Sequence, residues 1–223
     1  MVTVVTIDGP TSSGKGTISR MVAARLQWHL LDSGALYRLV ALSGEQLGLE
    51  PDDIAGHVRA AEGLDAAFGA VQDEERIWLA GADVTAQVRT AEAGMGASRV
   101  AAWPEVRRAL LERQRRFARV PGLVADGRDM GTVVFPAAPL KVFLTASPEE
   151  RARRRHKQLK DKGSGVSLAG LSREITERDL RDSTRAVAPL RPASDARTID
   201  STGLSIEAVV ARVLSWGSGR LWT

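Results

Sequence analysis

The sequence predicts an α/β fold on a five-stranded parallel sheet, with helices on both faces, a small antiparallel β insert and a helical lid. Three observations carry this prediction. A glycine-rich loop, Gly9 to Thr17, joins an apolar β-branched run to a segment with helical periodicity. Four more short strand-like segments recur along the chain with helical patterns between them, and such alternation builds parallel sheets. Four of the five predicted strands end in polar or acidic residues: Asp8-Gly9, Asp32-Ser33, Asp126-Gly127-Arg128-Asp129 and Asp200-Ser201. Active sites in parallel sheets gather at those carboxyl ends.

The first strand is Val2-Thr3-Val4-Val5-Thr6-Ile7. Gly9-Pro10-Thr11-Ser12-Ser13-Gly14-Lys15-Gly16-Thr17 follows, and Ile18, Met21, Val22 and Leu26 then recur at helical spacing. Glycines let this backbone turn its N–H groups inward around a phosphate, and the helix N-terminus adds about half a positive charge. Lys15 supplies a mobile cation for the β- and γ-phosphates of ATP or GTP. Gly16 stands where a Ser or Thr commonly ligates magnesium, with the hydroxyl one residue later at Thr17. Magnesium is therefore expected to be held largely through phosphate oxygens and water.

Further strands are predicted at Trp28–Leu31, Gly122–Ala125, Leu140–Leu144 and Arg197–Asp200. Between Leu64 and Val88 the runs Arg76–Leu79 and Asp83–Thr85, joined at Ala80-Gly81-Ala82, read as an antiparallel insert covering the acceptor. Ser147-Pro148-Glu149-Glu150 opens a helix with a capping box and a proline at its first position. That helix runs to about Lys162, breaks at Gly163-Ser164-Gly165 and resumes from Leu168 toward Asp182, a basic hairpin suited to a lid.

The 223 residues, 43% hydrophobic, suffice for one catalytic domain with appendages. The net charge of +4 conceals a clustering of arginines at Arg107–Arg119 and Arg151–Arg197, which suits phosphorylated partners. Cysteine is absent, and His29, His57 and His156 lack metal-ligand spacing, so disulfides, thiolate chemistry and a protein-held zinc are excluded. No leader or membrane-spanning run is visible, which predicts a soluble cytoplasmic protein. Trp28 and Trp103 sit within apolar patterns and read as packing residues.

Three clusters carry the expected chemistry. In Asp32-Ser33-Gly34-Ala35-Leu36-Tyr37-Arg38 an N-cap serine and Arg38 mark a second phosphate site at a helix N-terminus. Arg178, Asp182 and Arg185 share one helical face, and Arg151, Arg154 and Arg155 form a second basic group on the preceding helix. Planar guanidinium groups suit the equatorial oxygens of a phosphoryl group in flight. In Asp126-Gly127-Arg128-Asp129, Asp126 is expected to anchor magnesium-bound water, Arg128 a phosphate and Asp129 a donor group on the acceptor.

Gly-Lys-Gly-Thr closing the phosphate loop resembles the nucleoside monophosphate kinases. Asp32–Arg38, Ala125–Pro136, and Glu177–Asp179 through Arg185–Leu190 together resemble the bacterial cytidylate kinase family, essentially end to end. The resemblance implies γ-phosphoryl transfer from ATP, with magnesium, to CMP or dCMP in pyrimidine nucleotide metabolism. It implies that Ser98, Arg107 and Asp129 meet cytosine, and that Arg178 and Asp182 meet the ribose. Ser33, Tyr37, Arg38, Arg128 and Arg185 then surround the acceptor phosphate or its sugar. Lys15, Arg128, Arg154 and Arg185 are the expected catalytic residues. The division expected is a core of about 1–36, 91–146 and 186–223, a monophosphate-binding region of about 37–90 and a lid of about 147–185. A monomer acting on small molecules, without nucleic acid or membrane, is the expected form. A kinase of a hydroxylated metabolite needs a carboxylate facing the hydroxyl, whereas arginines dominate here. A nucleic-acid-binding ATPase needs aromatics interleaved with its cations, and these are missing.

Overall fold

The computed structural model describes residues 2–72, 74–161 and 165–222. In chain order its elements are β1 (Val4–Asp8), α1 (Lys15–Leu26), β2 (His29–Asp32), α2 (Ser33–Gln46), α3 (Ile54–Glu62), β3 (Ala66–Val71), β4 (Glu74–Leu79) and β5 (Ala82–Asp83). A 3₁₀ turn (Gln87–Arg89), α4 (Ala91–Val100), α5 (Pro104–Arg115), β6 (Leu123–Gly127) and a π-helical turn (Met130–Val134) come next. They are followed by β7 (Leu140–Thr145), α6 (Pro148–Lys160), α7 (Leu168–Ser183), β8 (Arg197–Asp200) and α8 (Ile206–Gly217). The chain forms two compact units: one joins the residues up to Asp32 with those from Arg115 onward, and the other is Ser33–Gln114.

The first unit holds a five-stranded sheet in the order β2-β6-β1-β7-β8, with each neighbouring pair parallel. Register sets which side chains share a face. Val5 and Ile7 of β1 align with Val124 and Asp126 of β6 and with Leu140 and Val142 of β7. On that face the apolar residues meet Ile18, Val22 and Ala23 of α1 and Val209, Val210 and Val213 of α8. Each buried aliphatic side chain contributes roughly 1.5–3 kcal/mol, so this layer fixes where α1 begins and hence where Lys15 stands. Toward the carboxyl ends the same face turns polar, at Asp32 and Asp126, which are register partners.

On the opposite face Thr6 lies beside Gly131 of the π-helical turn, where a Cβ would come within 2.9 Å of the Thr6 hydroxyl. The helical hairpin is present: α6 packs on α7. Ser147 caps α6 by accepting from the Glu150 amide, with Pro148 at the first position. The capping box is only half formed, because Glu150 turns its carboxylate to Arg154 and the Ser147 amide donates to Thr202 instead. The predicted break at Gly163-Ser164-Gly165 lies outside the described residues except for Gly165, and α6 ends at Lys160.

In the second unit β3, β4 and β5 form an antiparallel sheet in that order. Ala80 and Gly81 turn the chain with φ of 47° and 79°, the two positive values that a two-residue hairpin of matching twist requires. Strand β3 was not anticipated from the sequence. Helices α2 and α4 pack closely, with Gly96 against Ala41. Trp103 stands edge-on to the buried His57, and in the first unit Trp28 stands edge-on to Trp222, so both tryptophans are packing residues as expected.

Candidate active site

The phosphate loop leaves β1 at Asp8 and enters α1 at Lys15. Ser12 and Gly14 both adopt left-handed backbone, with φ of 58° and 92°. Gly14 is the N-cap of α1 and has no side chain to cap the first-turn amides, which leaves them open to a ligand. Such a turn aims consecutive N–H groups at one point and creates an anion-binding nest. A Cβ at Gly9 would collide with the Leu144 carbonyl, which explains a glycine where the loop leaves the sheet.

Lys15 is buried and donates from Nζ to the Pro10 carbonyl at 3.0 Å. Burial, with a smaller repulsion from Arg128, pulls its pKa down to about 7, while Asp126 opposes the shift. Burial pushes Asp126 up to about 6, against the attraction of Lys15. Gly16 has a local reason as well: a Cβ there would lie 3.2 Å from Asp126 Oδ2. Asp126 Oδ1 has no hydrogen-bond partner among the described residues.

At the end of β1, Asp8 accepts the amides of Met130 and Gly131, both at 2.8 Å. These bonds hold the start of the π-helical turn and with it the buried Asp129. Burial raises the Asp8 pKa to about 7, although the two amides favour its ionised form. Arg128 donates from Nε to Asp182 Oδ2 at 3.0 Å, and Arg185 donates to Asp182 Oδ1. Asp182 is almost wholly buried; desolvation works to raise its pKa, but Arg128, Arg185 and Arg178 together hold it below the usual carboxylate range. The structure thus brings together Lys15, Arg128, Arg178 and Asp182, all within one another's electrostatic reach.

Arg154 is committed elsewhere. It donates to the Ser13 carbonyl, to the hydroxyl and carbonyl of Ser201, and to Glu150. Arg151 donates to the Ala146 and Thr11 carbonyls and to Asp179. Beside the loop lies a cavity of about 360 Å³, lined by Ser12–Gly14, Thr17, Arg154, Gln158, Leu204, Ile206 and Val209 among others. Asp8, Ser201 and the apolar wall of this cavity were not among the sequence-derived site residues. Asp8 was visible only as a polar strand end, and the wall residues follow an ordinary helical pattern.

In the second unit Arg38 donates to the Val88 carbonyl at 2.6 Å, and the buried Arg107 lies 5.7 Å over the Tyr37 ring while donating to the Ala101 carbonyl. Ser98 is buried, and its hydroxyl has no hydrogen-bond partner among the described residues. Ser33 is buried as the first residue of α2, not as its N-cap. The reason is that β2 runs straight into the helix, which leaves Asp32 in the preceding position.

No group of three or more His, Cys, Asp or Glu side chains fit to hold a metal occurs among the described residues. No helix among them is long and apolar enough to cross a membrane.

Comparison with known proteins fits this geometry. The chain is 58% identical over 216 residues to a cytidylate kinase of Stutzerimonas stutzeri, covering 96% of this chain and 94% of that one. It is 52% identical over 219 residues to a cytidylate kinase of Nitrosococcus oceani, covering 97% and 96%. A solved structure of an uncharacterized protein from Eubacterium ventriosum shares the general fold, with a TM-score of 0.50 at 10% identity over 98% of this chain and 99% of that one. The family model for cytidylate kinase matches residues 5–217, a span that takes in the phosphate loop, the Asp126–Asp129 segment and the helical hairpin alike, and the chain belongs to that family.

Proposed function

We infer that the protein transfers the γ-phosphoryl group of ATP to CMP or dCMP, giving ADP and the cytidine diphosphate. The observation that carries this reading is the family match over nearly the whole chain. The buried Lys15 behind a nest of loop amides supports the donor half. In this reading Gly9 to Thr17 hold the donor phosphates, and the adenosine end enters the neighbouring cavity.

A magnesium ion bound with ATP supplies neutralisation of the β- and γ-phosphate oxygens. The residues present fit it: Asp126 offers a buried carboxylate oxygen without a hydrogen-bond partner among the described residues, and Thr17 offers a hydroxyl beside the loop. No cluster of three or more metal-ligating side chains occurs among the described residues, so these two residues would hold the ion with help from the nucleotide's own phosphates and water.

The acceptor phosphate has a second pKa of about 6, so its oxygen is largely ionised at neutral pH and no general base is needed. The work left to the protein is alignment and charge neutralisation. Lys15 takes the bridging charge of the donor, and Arg128 and Arg185, held ready on Asp182, meet the acceptor phosphate. Arg178 and Asp182 serve the ribose, Ser33, Tyr37 and Arg38 the acceptor phosphate or sugar, and Ser98, Arg107 and Asp129 the base. The hairpin of about 147–185 acts as the lid that excludes water from the transfer. A coupled assay with ATP and a panel of nucleoside monophosphates tests the reading. CMP and dCMP are expected as the best acceptors, and turnover of another acceptor with none of CMP would overturn it.

A further inference from the structure

The phosphate loop is held from outside as well as from within. Turning N–H groups inward points the loop's carbonyls outward, and three of those carbonyls receive side-chain donors. Pro10 accepts from Lys15 at 3.0 Å, Thr11 from Arg151 at 3.3 Å and Ser13 from Arg154 at 3.1 Å. The two arginines stand at i and i+3 of α6 and so share a face.

Arg154 is the more fully committed. Nε donates to Glu150 at 2.9 Å, Nη1 to the Ser13 carbonyl and to Ser201 Oγ at 3.0 Å, and Nη2 to the Ser201 carbonyl at 2.8 Å. A guanidinium has five N–H donors, which leaves one uncommitted. Ser201 is 4% exposed and passes its own hydroxyl proton to the Thr145 carbonyl at 2.9 Å, which ties the cluster to the end of β7.

The consequence lies in the geometry of one peptide unit. The Ser13 carbonyl and the Gly14 amide belong to the same rigid trans plane, so holding the carbonyl outward holds the amide inward, toward the donor phosphates. Gly14, at φ 92°, has no Cβ to resist a flip of that plane, and its neighbour Ser12 is already left-handed. We propose that Arg154 and Ser201 are positioning residues for ATP, which lock the Ser13–Gly14 peptide in its phosphate-binding orientation. Arg154 then acts through the loop and not on the phosphoryl group in transfer. The inference rests on the ATP half of the function above and not on the identity of the acceptor.

The test compares Arg154→Lys and Ser201→Ala with wild type by calorimetric titration with MgATP, alongside kcat and KM for each substrate. Lysine keeps the charge but cannot fork between Ser13 and Ser201. Each variant is expected to weaken MgATP binding about tenfold, the effect of losing one well-made hydrogen bond to a charged group, while KM for CMP stays within about twofold. An arginine acting on the transferred group gives another pattern: unchanged MgATP affinity, a kcat loss partly restored by lysine, and a silent Ser201→Ala. That pattern overturns the proposal. Should Arg154→Lys fail to fold, Ser201→Ala alone decides, since it removes only a hydroxyl. Because MgATP binding needs no acceptor, an enzyme that ignores CMP would count against the acceptor assignment and leave this measurement intact.

Discussion

Lys15 carries a cation into a place where water cannot solvate it. Burial pulls its pKa from the ordinary 10.5 down to about 7, so the fold disfavours the ammonium form in the free protein. Because the folded value lies below the ordinary 10.5, the unfolded chain binds the extra proton between pH 7 and 10.5, and this group makes stability rise with pH across that window. Bound phosphates favour the ammonium form, so at pH 8 ATP binding is expected to take up a proton. Titrations in buffers of different ionisation heat measure this; zero uptake in wild type, or equal uptake in Lys15→Ala, counts against Lys15 as the phosphate-facing cation. Lys15→Ala is also expected to lose at least ~10²-fold in kcat, as when one electrostatic stabiliser is deleted, with its thermal midpoint little lowered.

Asp129 allows a sharper test of selectivity. Cytosine presents an amine donor where uracil presents a carbonyl, so a carboxylate at that edge accepts from one base and repels the other. An unpaired buried polar group costs about 1–3 kcal/mol, and Asp129 is 3% exposed, held through the amides that Asp8 receives. Asp129→Ala is therefore expected to lower kcat/KM for CMP far more than for UMP. An unchanged CMP-to-UMP ratio would show that Asp129 only supports Arg128.

At the scale of elements, the central parallel strands were legible because burial on both faces demands near-continuous apolar runs, as at Leu140–Leu144, whereas the edge strand Arg197–Asp200 buries only Ile199 and was legible by its place between helical patterns. Strand β3 was not, because Ala66, Ala67, Gly69 and Ala70 carry little β preference and most of the strand is exposed. The arginine-rich helices posed a different problem. Periodicity puts Arg178, Asp182 and Arg185 on one face of α7, but only the fold shows that Arg128, from the end of β6, completes the group around Asp182. The pairing joins two elements far apart in sequence, so its loss is costly. Asp182→Ala removes the buried carboxylate to which Arg128 and Arg185 both donate, and breaking such a pair costs about 3–5 kcal/mol. Urea unfolding at pH 7 is expected to show a loss of that size. Since the Asp182 pKa is depressed, its contribution is present above the unfolded value of 3.8 and fades as pH falls through the folded one. The gap between wild type and Asp182→Asn is accordingly flat from pH 7 to 5 and narrows in stronger acid. A gap that widens there would mean the carboxylate does not stabilise the arginines.

For the whole molecule, the donor site was more readable than its surroundings. Gly9, Gly14 and Lys15 announce a phosphate loop by residue type, whereas nothing about a serine announces the left-handed backbone of Ser12. The cavity beside the loop joins residues from α1, α6, α8 and the turn between β8 and α8 that share no local pattern. All of its lining residues belong to the unit formed by the chain up to Asp32 and from Arg115 onward. A ligand that binds only the native state stabilises it by RT ln(1 + [L]/Kd), about 2.7 kcal/mol at a hundredfold excess over Kd, and slows the local openings near its contacts. MgATP alone is therefore expected to slow amide hydrogen exchange at residues 9–18, 150–161 and 201–209. The antiparallel sheet of residues 66–72 and 74–83, in the other unit, should exchange as before. Peptide-level exchange with and without MgATP measures both. Protection confined to the 66–83 region, with the loop and cavity unchanged, would move the donor site out of the unit that carries Lys15.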